Sequence, residues 1–554
     1  MSVRSSEIRL CVNTNTEIAG RRSIDPLTFN LPTEIVSEIF ALTLWCPAPL
    51  SYSTFAPAQQ EKGNGAALKL GAVCLAWREI AWATPQLWTN FYLHIDIDSH
   101  CNDNSTHNTS FQLANAWFAR SGHLPLSLQI HVPLKSLPRI LASVAGHSSF
   151  ALLSSLITRY SSRWRELDIW CPDWFLATLF PTVVRAVSDI NTTILDTLRI
   201  HAVYDPYHPT RAVFSGYAAM EPAPRHVSIS GGTLRFVDVH VNWQNATRVD
   251  MEGVELAGCV YILTHALGLE DVKFNRVSVN ETDVGMVSVE GQIHTTLSFL
   301  TSLHLDFTSS FLPSHNPLDD LLSVITAPAL SRISLSFGIL RPRALLPAIA
   351  LIRRSGSAIS SLAISRKYAG SRDNERNNDE HAQLLALLRA TPGLRYLDVG
   401  VKFGFGEPHP QARLIGLLVG EEDKVDGGEE KRELELPYLE MVHIGVGRIR
   451  RVSDVSLFDW TTVPRLIGSL RMNGRTHLRI SWIRNGVASD VMRAVPYWDR
   501  ETVVRVMELQ RWYGSSRPGG DGYGENDWIE LDTKDTKGEV DLFEASVDFY
   551  GLRG

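Results

Sequence analysis

The sequence is sparing with cysteine. Its six residues (Cys11, Cys46, Cys74, Cys101, Cys171 and Cys259) are scattered over 554 positions. No zinc or redox spacing joins them, and a chain this long is not a small disulfide scaffold. Long apolar runs are missing too: no stretch approaches the roughly 20 residues that span a bilayer. The opening MSVRSSEIRLCVNTNTEIAGRRS lacks the apolar core of a secretory signal. The chain is therefore expected to be soluble and cytoplasmic or nuclear, with no membrane partner. On that reading the sequons at Asn104, Asn108, Asn191, Asn245 and Asn280 arise by chance. A formal net charge of -7 gives no general attraction to nucleic acid, and no basic patch is interleaved with aromatics.

The motifs of catalysis are equally scarce. There is no P-loop and no Gly-x-Gly-x-x-Gly, and GHSSF (146–150) lacks the second glycine of a nucleophile elbow. The best metal-like cluster is HIDIDSH, where His94, Asp96, Asp98 and His100 alternate and would share one face of a strand. Leu93, Ile95 and Ile97 would then share the other face, which is the pattern of a half-buried strand rather than a ligand set. His315, His409 and His443 each stand alone in the sequence. We expect no catalytic residue, no metal site and no cofactor, and hence no enzyme.

What is present is a globular composition, 44% hydrophobic and 20% charged, enough for several domains or for a repeat array with a small domain. Near the N-terminus, LPTEIVSEIFALTLW (31–45) has Pro32 placed for a helix start and Glu34 near the positive helix end. Ile35, Val36, Ile39 and Phe40 follow at helical spacing. Residues 47–65 read as a loop. A second helix is expected to carry Leu70, Val73, Cys74, Trp77, Ile80 and Ala81 on one stripe and to stop at Thr84-Pro85. FYLHIDID then alternates like a strand.

These segments, LPTEIVSEIF, LGAVCLAWREIA and TPQLW, resemble the F-box family, in particular the F-box-like proteins of fungi. Leu31, Pro32, Glu34, Ile35, Ile39, Val73, Cys74, Trp77 and Arg78 fall on the family pattern; the long loop between the helices departs from it. The resemblance implies that Leu31, Pro32, Glu34, Ile35, Ile39, Val73, Cys74 and Trp77 contribute to docking on the Skp-family adaptor of a cullin-RING ubiquitin ligase. Trp77, Ile80 and Trp88 are also expected to hold the module together, whereas Leu31-Pro32 at the helix entrance can add little core.

Further on, WFARSGHLPLSLQIHV is similar to a stretch that precedes the repeats of the same fungal proteins. A hexapeptide of apolar, x, x, apolar, x, apolar then recurs. It appears as WRELDI (164–169), LDTLRI (195–200), LRFVDV (234–239), LEDVKF (269–274) and LTSLHL (300–305). It returns as LSRISL (330–335), ISSLAI (359–364), LRYLDV (394–399) and LEMVHI (439–444). At this apolar content so short a template recurs by chance, so the surrounding text has to decide. EHAQLLALLRATPGLRYLDVG reads as helix, turn, strand, and PLDDLLSVITAPALSRISLSF repeats the order. Taking Leu303, Ile333, Leu362 and Leu397 as equivalent gives steps of 30, 29 and 35, which suits a leucine-rich-repeat-like solenoid. The asparagine that such repeats place beyond the hexapeptide occurs once, at Asn242, so the array is expected to be irregular. Polar breaks are read at 367–381 and 420–433, and a linker at 515–527.

The expected fold is α/β. Residues 1–28 are read as a flexible segment, 29–90 as an F-box module and 91–135 as a connecting strand and helix. Residues 136–482 are read as the solenoid, and 483–554 as a C-terminal cap with a flexible acidic tail. The expected function is a substrate receptor whose solenoid holds an unknown protein. The alternative is an adaptor-binding scaffold that delivers nothing for ubiquitylation.

Overall fold

The computed structural model describes residues 31–44, 62–95, 104–133, 150–173 with 175, 176 and 179, 194–203, 223–231 and 241–278. It also describes 294–307, 317–337, 344–366, 374–401, 436, 438–449, 477–484 and 529–532. They fall into two compact units, one within Met1–Leu93 and Thr109–Leu128, the other within His94–Asn108 and Gln129–Gly554. The fold is α/β, with a mostly parallel sheet that does not close on itself.

In the first unit, α1 (Thr33–Leu44) packs against α2 (Lys62–Val73) and α3 (Leu75–Ala83), with a 3-10 turn over Pro85–Trp88. Most of strand β1 (Asn90–His94) and of α4 (Asn104–Arg120) follows, with the first half of β2 (Leu126–His131); His94, 104–108 and 129–131 belong to the second unit. Helix α1 starts one residue beyond Pro32, whose carbonyl accepts from the amides of Ile35 and Val36 at 3.0 and 3.1 Å. The core is aromatic. Trp88 and Trp117 meet edge to face with centroids 4.6 Å apart, and Phe91 lies 5.5 Å from Trp117.

Two expectations about this unit need correction. The loop read to residue 65 ends earlier, since α2 begins at Lys62. The stripe from Leu70 to Ala81 does not belong to one helix, because the backbone at Cys74 is extended (φ -155, ψ 172). The break is stable because its orphaned groups find partners. Cys74 Sγ accepts from the Trp77 amide at 3.4 Å, and the Arg78 guanidinium donates to the Gly71 carbonyl at 2.8 Å. Val73 is left exposed, while Ile80 and Ala81 are buried.

The second unit is built on strands β3 (Trp164–Pro172), β4 (Thr197–Val203), β5 (His226–Ser230), β6 (Arg248–Glu252) and β7 (Asp271–Asn275). A two-residue strand β8 (Thr295–Thr296) precedes β9 (Ser302–Phe307), and β10 (Ile325–Thr326), parallel to β8, precedes β11 (Arg332–Phe337). Then come β12 (Ser361–Arg366), β13 (Tyr396–Val401), β14 (Met441–Ile449), β15 (His477–Arg484) and β16 (Ile529–Asp532). Apart from β8 and β10, these strands lie side by side in chain order, and their pairings are parallel. Strand β16 puts part of the segment read as a tail into the sheet.

Parallel neighbours need a crossover, and in this unit helices supply several. Helix α5 (Leu256–His265) follows β6, α6 (Pro317–Ser323) follows β9, α7 (Leu346–Ser355) follows β11 and α8 (Asn374–Arg389) follows β12. Each packs on the next: α5 on α6, α6 on α7, α7 on α8. Buried backbone groups are satisfied from the neighbouring crossover. Arg354 donates to the carbonyls of Leu322 and Ile325, Ser355 Oγ accepts from the Ala327 amide, and Gln383 Oε1 accepts from the Leu345 amide. The polar break read at 367–381 is helical from Asn374, which lies within α8.

Register is the firmest feature of the sheet. Leu303, Ile333, Leu362 and Leu397, equivalent by sequence spacing, are direct ladder partners. Their row runs on through Val272 and Val442, and all six side chains are buried. A parallel row two residues later (Phe274, Leu305, Leu335, Ile364, Val399) is buried as well. Intervening residues form a polar face, as a period of two requires. Eight of the nine hexapeptides lie on or run into these strands; LRFVDV lies outside the described residues. Asn242 heads no ladder. Its Oδ1 accepts from the Gln244 amide at 3.1 Å and caps the 3-10 turn Trp243–Asn245.

Candidate docking surfaces

The first candidate surface is on α1–α3. Leu31 is half-buried, Pro32 and Glu34 are exposed, and Ile35 is 48% exposed, so the entrance of α1 presents apolar surface to solvent. Ile39 and Trp77 are half-buried, and the Trp77 ring lies 4.9 Å from Phe40, joining α3 to α1. Cys74 is half-buried at the break between α2 and α3, and Val73 beside it is exposed. Of the eight residues named from the sequence, Trp77 and Cys74 thus have demonstrable structural tasks, while Pro32, Ile35 and Val73 leave apolar surface free. Sequence reasoning missed Leu42, Leu68, Leu75 and Trp82, each exposed by 47–66%. They are apolar residues lying off the buried stripe of their helices, which is the signal that marks them. Several large apolar side chains are thus exposed on one small module.

The second candidate is the polar face of the sheet. On β3 and β4, Glu166, Asp168 and Trp170 stand opposite Thr197, Arg199 and His201. Arg199 pairs with Glu166, both half-buried. Burial pushes the Asp168 carboxyl up to about 7; Arg199 draws it back and Glu166 adds to the rise. Burial, then Arg199, lowers His201 to about 4. The His201 Nε2 to Asp168 Oδ1 distance of 3.9 Å is therefore not a salt bridge at neutral pH: the imidazole is uncharged and the gap exceeds a hydrogen bond. His201 Nδ1 instead shares a hydrogen bond with Ser230 Oγ at 2.7 Å, and its ring packs on Trp170 with centroids 4.4 Å apart.

His94 is exposed, and its Nδ1 lies 3.1 Å from Nδ1 of His131, the rings stacked. Its partner is thus on another strand and not among Asp96, Asp98 and His100, which lie outside the described residues. His131 is held below its ordinary value by burial, then by His94. Among the described residues no group of three or more His, Cys, Asp or Glu could hold a metal ion. His94→Ala is expected to change stability by only about 0.5 kcal/mol, as exposed substitutions do. Thermal melts check this, and a stoichiometric divalent metal lost in the variant would overturn the reading. His443 is not solitary: its Nδ1 is 2.9 Å from Asp398 Oδ1 on the adjacent strand. His315 and His409 lie outside the described residues.

Further along this face, β7, β9, β11 and β12 border a hollow of about 410 Å³. No described helix is long and apolar enough to cross a membrane. Comparison of the chain with known protein families and with curated proteins finds no match in either.

Proposed function

We propose that this chain is an F-box substrate receptor of a Skp–cullin–RING ubiquitin ligase. In this reading α1–α3 form the module that docks on the adaptor, and the second unit is an irregular leucine-rich-repeat-like solenoid that holds a protein substrate. The chain makes and breaks no bond itself. It raises the effective concentration of target lysines near an activated ubiquitin, and that is a positional contribution. It acts in the cytoplasm or nucleus, and it uses no cofactor.

The observation that carries the reading is the apolar surface left open by α1–α3, from Leu31 and Ile35 at the helix entrance to Val73 and Leu75 at the helix break. A small helical module gains stability when a partner covers such surface. The solenoid reading is supported by the shared register of Leu303, Ile333, Leu362 and Leu397 and by the helices between their strands.

Changing Leu31 and Pro32 together to alanine is expected to weaken adaptor binding by about 2 kcal/mol, the size of an interface hot spot. Titration of the purified Skp adaptor onto wild type and the double variant measures this, with circular dichroism as the folding control. A folded variant that binds the adaptor as tightly as wild type would sink the proposal. Whether a captured protein is then ubiquitylated separates a receptor from a scaffold.

A further inference from the structure

We propose that the hollow on the polar face of β7, β9, β11 and β12 is a docking site for an acidic segment of a protein partner, with one carboxylate side chain seated between Lys273 and Arg332. The inference deepens the receptor reading by naming the chemistry of the held protein. Its test leaves the adaptor out, so the two can fail separately.

The hollow follows from the ladder. Lys273, His304, Ser334 and Ala363 are consecutive register partners, and Ser302, Arg332 and Ser361 form the next row of the same face. Side chains shrink from lysine and histidine to serine and alanine across the strands. Lys273 and Arg332, both exposed, therefore border a space that no described neighbour fills. Among the described residues, every ionisable group lining the hollow is basic: Lys273, His304 and Arg332.

Neither fixed cation is held in a close pair, although the charge of Lys273 acts on Asp250 beside it in the ladder and opposes the burial that raises that carboxyl. Neither Lys273 nor Arg332 makes an ion pair or hydrogen bond among the described residues. Three other arginines on these strands or at their ends do have partners: Arg199 with Glu166, Arg276 with Glu252 at 2.8 Å, and Arg395 with Glu440 at 3.6 Å. The nearby carboxylates are accounted for. Asp250, beside Lys273 in the same row, has its Oδ1 accepting from Asn275 Nδ2 at 2.9 Å; Asp271 stands beside Ser302 in the row of Arg332 and Asp306 on an adjacent row, and none of the three lines the hollow.

Charge complementarity thus asks for an anion, and geometry asks for one carried on a chain. Lys273 and Arg332 are two strands apart and offset by two residues along them, about 12 Å by ladder spacing. The backbone amides here are engaged in strand pairing, so no cradle of N–H groups closes around a small anion in the way a helix N-terminus does. A peptide lying over the face can place a carboxylate between the two cations while the Ser302 and Ser361 hydroxyls meet its polar groups. Charge-assisted hydrogen bonds from both sides would fix it.

The test uses the full chain and a fluorescein-labelled Glu/Ser peptide, followed by fluorescence anisotropy at low and moderate salt. Wild type is expected to bind it, more weakly as salt rises, and not to bind the Lys/Ser counterpart. Lys273→Glu with Arg332→Glu should reduce affinity by about tenfold or more, about 1.4 kcal/mol. The milder pair Lys273→Gln with Arg332→Gln, which keeps side-chain bulk, should fall between. Arg248→Glu, an exposed cation outside the lining, should leave affinity nearly unchanged. The proposal is overturned if wild type ignores the acidic peptide, or if Arg248→Glu weakens binding as much per charge as the hollow variants. It is also overturned if inorganic phosphate displaces the peptide as effectively as an unlabelled copy, which would make the hollow a small-anion site.

Discussion

Trp88→Ala is expected to destabilise the first unit by about 3–5 kcal/mol, the usual range for removing a buried large aromatic. Trp88 is 1% exposed, packs edge to face on Trp117 at 4.6 Å, and donates from Nε1 to the Ala81 carbonyl at 2.9 Å. The Arg120 guanidinium lies 5.1 Å from its ring. Truncation therefore empties a ring-sized volume, removes an aromatic pair and leaves the Ala81 carbonyl with only the longer bond from the Thr84 amide at 3.3 Å, and the losses share one sign. Trp88→Phe keeps a ring but loses the hydrogen bond, and should fall between wild type and alanine. Denaturant melts followed by tryptophan fluorescence and far-UV circular dichroism would report the loss. An alanine variant within about 1 kcal/mol of wild type would show that Trp88 does not anchor this core.

Periodicity made part of this molecule legible. The row through Leu303, Ile333, Leu362 and Leu397 was readable because its positions are strongly apolar, alternate with polar residues and follow recognisable helix and turn signals. Strands β5 and β6 were missed for opposite reasons. Ahead of β5, Pro224 stands where the template wants an apolar side chain, whereas ATRVDM (246–251) fits the template but begins with the small Ala246. The break at Cys74 was invisible because helical spacing continues straight through it. Cys74 Sγ and the Arg78 guanidinium serve the orphaned backbone groups there, contacts that no helical periodicity encodes.

The candidate sites were legible only where they are local. Leu31 and Pro32 stand out at a helix entrance, in one short string. The hollow between Lys273 and Arg332 exists because residues 59 positions apart share a face, and no local window contains both. The same holds for His94 with His131 and for Asp398 with His443. Side chains meet there through ladder register, which depends on every intervening connection.

Asp168→Asn is expected to stabilise the protein at pH 8 and to do little near pH 4. Asp168 is 8% exposed, and its Oδ1 is buried with no hydrogen-bond partner among the described residues. Burial raises its carboxyl from 3.8 to about 7, with Arg199 opposing the rise and Glu166 adding to it. A folded pKa above the unfolded one contributes stability that is fully present below about 3.8 and is lost as pH rises through about 7. Over that window the unfolded chain has released a proton that the folded chain still holds. Every tenfold difference in proton affinity between the two states is worth about 1.4 kcal/mol, so the loss reaches about 4 kcal/mol by pH 8. His201, lowered to about 4 by burial and then Arg199, works in the other direction. Its contribution is present above about 6.5 and is lost as pH falls through about 4. Asparagine removes the first titration and leaves the second, so the variant should lose stability on acidification where wild type is buffered by the two opposing groups. Thermal melts of both proteins at pH 4, 6 and 8 would measure this. A variant whose melting temperature exceeds wild type by the same amount at all three values would mean that Asp168 does not titrate in the fold, and that its buried oxygen has a partner which keeps it charged.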